Sequence, residues 1–164
     1  MKKQNLSQYG DMPVLMDQDI KIGIVVSDWN KEITDALKEG ALAFLKKAGI
    51  TKKQIIVHSV PGSFELPPAA AMLFNAKDDL DAVICLGCVI QGETRHFEFI
   101  SQAVANGIMH ISVEYCLPVI FGVLTCDTME QALERAGGKH GNKGVEAAYT
   151  CLKMIESRQK IYYT

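Results

Sequence analysis

Little in this chain is present in excess. Seventeen basic and nineteen acidic side chains leave a net charge of −2. The basic surplus that nucleic acid or an anionic membrane surface demands is therefore missing. No apolar run approaches the ~20 residues of a membrane-spanning helix. The opening residues M-K-K-Q-N-L-S-Q-Y-G start basic, but no apolar segment follows, so no secretory signal is expected. Both absences point to the cytoplasm. Cysteine is scarce and odd in number: Cys85, Cys88, Cys116, Cys126 and Cys151. These lie mostly in apolar runs and read as small buried hydrophobes in a reducing compartment, not as a disulfide framework. There is no internal repeat and no low-complexity linker. What is there, 164 residues with 48% hydrophobic and 22% charged, suits one ordinary domain over 1–164. Residues 1–19 have no clear period and read as an arm, or as a strand that needs a partner.

From Lys21 onward strands and helices alternate. Lys21 to Ser27 (K-I-G-I-V-V-S) is a strong strand, followed by a 3.6-period helix carrying Ile33, Leu37, Ala41, Phe44, Leu45 and Ala48. Asn30 is its expected N-cap and Gly49 its stop. Gln54 to Val60 is the second strand. Glu65 to Lys77 is a helix with Pro67 and Pro68 in its first turn, where a missing N–H costs little. Asp81 to Gly87 is the third strand, His96 to about Ser112 a helix, and Pro118 to Thr125 the fourth strand. Thr128 to Gln131 has capping-box spacing and opens a short helix. Gly137-Gly138 breaks it, and the last helix begins at Asn142. Continuous apolar strands alternating with helices imply a three-layer α/β/α sandwich around a four-stranded, mostly parallel sheet.

Ligands of such sheets bind beyond the carboxyl ends of the strands. The stretch G-C-V-I-Q-G-E-T-R-H-F-E-F, Gly87 to Phe99, leaves one of those ends and opens a helix. Backbone N–H groups meet anions at such places, and His96 stands at the helix mouth as a candidate acid or base. Thr94 would add a hydroxyl, whereas the Glu93 carboxylate should point away from a phosphate. Trp29, the only tryptophan, is either a loop aromatic packed on a helix or a stacking surface for a planar heterocycle. Phe64 is its companion or a core anchor, and Glu65 is favourable at a helix N-terminus whatever its function. Cys85-Leu-Gly-Cys88 has C-x-x-C spacing without the further ligands a zinc site needs. Gly138 to Gly144 faintly resembles a P-loop but lacks its Gly-Lys-Ser/Thr ending and its preceding strand. It reads as a helix–helix bend flanked by Arg135 and Lys143.

The order of these signals is more specific than any one of them. I-G-I-V-V-x-x-W-N, V-P-G-S-F-E-L-P, G-C-V-I-x-G-E-T-x-H-F, P-V-I-F-G-V-L-T and E-R-A-G-G-K-x-G-N-K-G together resemble the lumazine synthase family over about residues 20–157. The resemblance implies a flavodoxin-like layout and a transferase of riboflavin biosynthesis. That transferase condenses 5-amino-6-(D-ribitylamino)uracil with 3,4-dihydroxy-2-butanone 4-phosphate to 6,7-dimethyl-8-ribityllumazine, releasing phosphate and water. It implies no metal and no organic cofactor. By resemblance, Trp29 stacks on the pyrimidine, and Ser63, Phe64 and Glu65 hold the aminouracil and its ribityl chain. Cys88, Val89 and Ile90 line the ring. Glu93 and Thr94 bind the phosphate, Arg135 clamps it, and His96 donates protons. Phe121 and Lys143 enter a neighbour's ring site. The family's pentamers, often built into sixty-subunit shells, imply a homo-oligomer with active sites between subunits and the arm paired to a neighbour's sheet. Many members carry Arg where Gln91 stands and a small residue or Pro where Arg95 stands. A flavodoxin-like or receiver-type binding module is a competing reading. It is opposed by S-D-W-N-K-E after the first strand and by the lack of an acidic cluster at the strand ends. A catalytically weak flavin-binding or shell-forming homologue is another, opposed by the intact His96, Arg135 and Lys143.

Overall fold

A computed structural model describes residues 9–163. Four parallel strands form one sheet in the order β2-β1-β3-β4: β1 Ile22–Ser27, β2 Ile55–Val60, β3 Ala82–Ile90 and β4 Val119–Cys126. The central strands β1 and β3 are buried on both faces, which is why they read as unbroken apolar runs. The edge strand β2 exposes Val57, His58 and Ser59. Helices α1 (Lys31–Lys47) and α5 (Lys143–Tyr163) cover one face. Helices α2 (Leu66–Ala76) and α3 (His96–Tyr115) cover the other. A short α4 (Met129–Arg135) follows β4, with the Thr128 hydroxyl accepting from Gln131 N–H at 3.3 Å as a cap. The α/β sandwich expected from the alternation is thus the fold, with five helices around a four-stranded parallel sheet.

Several local expectations are corrected. The third strand does not stop at Gly87; pairing with β4 continues through Cys88↔Leu124 to Ile90↔Cys126. Asn30 does not cap α1 with its side chain. Its backbone is left-handed, and its amide donates to the Cys88 carbonyl at 3.0 Å, tying the end of β1 to β3. The bend before α5 is a hairpin of β5 (Ala136–Gly138) and β6 (Gly141–Asn142), turned by Gly137 and Gly141 at φ 120° and 82°. Cys116 is exposed; the other four cysteines are buried as expected.

The Gly-Asn-Lys-Gly segment that resembled a P-loop holds two helices together. The Asn142 side-chain oxygen accepts from Gly144 and Val145 N–H at 2.8 and 3.2 Å, capping α5. Its amide donates to the Ala36 carbonyl of α1 at 3.0 Å. Gly144 crosses α1 so closely that a Cβ there would lie 1.8 Å from the Leu37 carbonyl oxygen. Only glycine permits that crossing.

Of the arm, residues 1–8 lie outside the described residues, and 9–19 form no strand within the chain. Tyr9 packs against Phe44 and Tyr149 at ring distances of 5.8 and 5.2 Å. The buried Gln159 amide accepts from Met16 N–H at 2.8 Å and donates to the Asp17 carbonyl at 3.0 Å, acting as one rung of a β-ladder. Among the described residues no helix is long and apolar enough to cross a membrane.

Gly144→Ala must separate α1 from α5 and should destabilise the fold by about 3 kcal/mol or more. A denaturant titration with an unchanged midpoint would show the crossing to be compliant.

Candidate active site

The carboxyl ends of β1 and β3, the turn before α2 and the start of α3 surround a cavity of about 390 Å³. Its lining includes Trp29, Ser63, Phe64, Glu65, Cys88, Val89, Ile90 and His96, each of them singled out from the sequence. Asn30 and Ile100 line it too. The sequence marks Asn30 as an N-cap and as the close of I-G-I-V-V-x-x-W-N, and gives Ile100 only a place in the helix from His96. The direct succession Trp29-Asn30 after a strand was the available signal for the first.

Each wall has a local cause. Trp29 is 67% exposed, yet its ring is not loose. Its backbone N–H donates to the Pro61 carbonyl at 3.0 Å, and its six-membered ring lies against Gly62. A Cβ on Gly62 would come within 2.8 Å of that ring. The Val-Pro-Gly sequence therefore makes a flat seat for the indole. The next residues, Ser63–Glu65, form a single 3-10 turn. Glu65 folds back so that its carboxylate accepts from Gly62 N–H at 2.9 Å, which leaves its other oxygen without a hydrogen bond among the described residues. Phe64 is exposed and Ser63 buried; the Ser63 hydroxyl has no partner among the described residues.

The floor is the last part of β3. Side chains alternate across a strand, so Cys85 and Cys88 fall on opposite faces of the sheet. The C-x-x-C spacing therefore brings no two thiols together. Burial, and next the Cys126 thiol, push the Cys88 thiol up to about 12. It stays neutral at physiological pH, so this part of the floor adds no charge to the cavity. Among the described residues no three His, Cys, Asp or Glu side chains converge as a metal site would require.

Residues 91–95 join pocket-lining Ile90 to pocket-lining His96 without entering a helix or strand. The N–H groups of Gly92, Glu93, Thr94 and Arg95 donate to nothing among the described residues. They stand at the N-terminus of α3, where the helix dipole also favours negative charge. The Thr94 hydroxyl accepts from His96 N–H at 3.4 Å and keeps its own proton free to donate. Glu93 is exposed. Arg95 turns to the surface of α3, 3.3 Å from Glu98 and with its guanidinium 5.8 Å from the Phe99 ring centre.

Five site residues singled out from the sequence are not in the lining of this cavity: Glu93 and Thr94 lie on the adjoining loop, and Phe121, Lys143 and Arg135 lie elsewhere. Phe121 and Lys143 line a separate groove of about 590 Å³ along the β4 edge, between α3 and α5. The Lys143 ammonium is 3.0 Å from Glu146 there. Arg135, half-buried at the end of α4, lines neither. The groove and the cavity share no residue.

The family model for 6,7-dimethyl-8-ribityllumazine synthase matches residues 19–159. A 6,7-dimethyl-8-ribityllumazine synthase of Cytophaga hutchinsonii is 58% identical over 153 residues, covering 93% of this chain and 94% of its own. One of Porphyromonas gingivalis is 52% identical over 150 residues, 92% of each chain. One of Parabacteroides distasonis is 50% identical over 152 residues, covering 93% and 94%. The match runs from before β1 into the last turns of α5 and so takes in every element that builds the cavity. The chain belongs to the 6,7-dimethyl-8-ribityllumazine synthase family.

Proposed function

We propose that the cavity is where this transferase of riboflavin biosynthesis joins its two substrates, 5-amino-6-(D-ribitylamino)uracil and 3,4-dihydroxy-2-butanone 4-phosphate. The observation that carries the reading is the continuity of wall and loop. The strand end that floors an apolar slot runs directly into four unused N–H groups, and these run directly into His96. A flat, uncharged ring fits between Trp29 and the Cys88–Ile90 floor. A phosphate fits the loop, with the Thr94 hydroxyl as a further donor and Glu93 turned to solvent. The second oxygen of the Glu65 carboxylate suits the ribityl hydroxyls.

The chemistry follows from that placement. The 5-amino group attacks the ketone carbon, and loss of water leaves an imine. Elimination then breaks the C–O bond to phosphate, whose departing charge is met by the loop N–H groups and by Arg135. The ribitylamino nitrogen closes the second ring with loss of a second water. Each step moves protons near neutrality, and His96 is the titratable side chain in the cavity suited to carry them. Holding both reactants in one slot turns a bimolecular condensation into a nearly intramolecular one.

The site is completed by a second copy of the chain. Phe121 and Lys143 lie away from their own cavity, on a groove whose neighbours include the exposed Met109 and Met154. A neighbour docked on that groove would receive these two side chains, and Arg135 with them, at the rim of its own cavity. A pentamer is the smallest ring of this kind in the family. By the resemblance, members that stop at the pentamer often carry an insertion at this bend, so the short β5–β6 hairpin favours the sixty-subunit shell.

Mixed with both substrates, the chain should form lumazine absorbance and release phosphate faster than the spontaneous reaction; equal rates would overturn the reading. His96→Ala should lower kcat on the order of 10²-fold with little change in either KM. Arg135→Ala should raise KM for the phosphorylated substrate about tenfold or more, and unchanged constants would remove it from the phosphate site. Light scattering should report a particle far larger than five chains; a pentamer-sized species in every buffer would exclude the shell.

A further inference from the structure

Gln91 stands just past the end of β3, at a position the family resemblance left without a role. Its backbone N–H donates to the Cys126 carbonyl at 2.9 Å, extending the β3–β4 ladder by one rung. Its side-chain amide turns forward over the loop, donating to the Gly92 carbonyl at 2.8 Å and, more weakly, to the Thr94 carbonyl at 3.4 Å. In a trans peptide the carbonyl and the following N–H point in opposite directions. Drawing the carbonyls of Gly92 and Thr94 toward Gln91 therefore turns the N–H groups of Glu93 and Arg95 away from it.

We propose that Gln91 is a positioning residue for the anion loop: it holds the loop carbonyls back so that the N–H groups face the phosphate. The inference rests on the phosphate reading above. Nothing else described performs this task. Apart from its chain neighbours, no heavy atom lies within 4 Å of where a Cβ on Gly92 would stand. The loop has no ladder of its own, and Arg95 is engaged with Glu98 and Phe99 on the helix surface.

The choice of side chain fits the task. The amide brings two donors and no charge. Glutamate at the same place offers acceptors only, so it would release both carbonyls and set a negative charge beside a phosphate. Alanine removes the strut and leaves the loop free to turn carbonyl oxygens toward the anion, which repels it. Because Gln91 is exposed, neither change threatens the core.

The test uses the full chain with three readouts. Gln91→Ala should raise KM for the phosphorylated substrate roughly three- to tenfold and weaken inhibition by inorganic phosphate by the same factor. KM for the aminouracil should stay within about twofold. Gln91→Glu should lose more on the phosphate side. A crystal of the unmutated protein grown with inorganic phosphate should show the anion on the loop N–H groups while the Gln91 amide stays on the Gly92 carbonyl. An amide turned onto the anion would make Gln91 a direct ligand and overturn the positioning role. Unchanged constants in Gln91→Ala, with phosphate still bound at the loop of the unmutated protein, would overturn it alone. If inorganic phosphate neither competes with the phosphorylated substrate nor occupies the loop, the phosphate reading fails and this inference with it.

Discussion

The pairing of β3 with β4 out to Ile90 and Cys126 is the constraint on which the site depends. Backbone hydrogen bonds in a buried parallel ladder leave little freedom, so Cys88, Val89 and Ile90 are rigid where they meet the cavity. The Asn30 amide fastens the end of β1 to the Cys88 carbonyl, which places Trp29 at a fixed height above that floor. Gln91 then carries the ladder one bond further before the chain leaves the sheet. Had β3 ended at Gly87, the floor would be loop and the ring wall would move with it.

The fold was legible because its signals were repeated. Four apolar runs alternating with 3.6-period segments allow few topologies, and each strand supports the reading of the others. The candidate site was legible for a different reason: its residues sit at the strand ends, where a polar–aromatic mixture such as Ser-Asp-Trp-Asn or Gly-Ser-Phe-Glu serves no packing need. Single-residue detail was less accessible. The extra three residues of β3 look like loop because Gly87 interrupts the run, but Gly87 sits under Ser63, Leu66 and Ser27, where a Cβ would collide. Asn30 has the composition of an N-cap, but its left-handed backbone sends the amide to β3 instead. The β5–β6 hairpin is too short to show a period, and the tether of the arm by Gln159 depends on a contact 143 residues away in sequence.

The cavity and the β4-edge groove divide the binding work between two surfaces of one chain. The cavity offers flat walls and unused N–H groups; the groove presents a lysine and a phenylalanine that their own cavity does not receive. Asn142 and Gly144 hold α5 so tightly against α1 that Lys143, between them, leaves the helix at a set angle. The segment that looked like a failed phosphate loop is better understood as a rigid mount for that lysine.

Trp29 is the chain's only tryptophan, and it sits at the mouth of the cavity with its ring seated on Gly62. All of the protein's indole emission therefore originates at one wall of the candidate site. A planar heterocycle sliding over that ring would quench or shift the whole signal, not a fraction of it. The molecule carries its own optical reporter of occupancy, with no background from elsewhere in the fold.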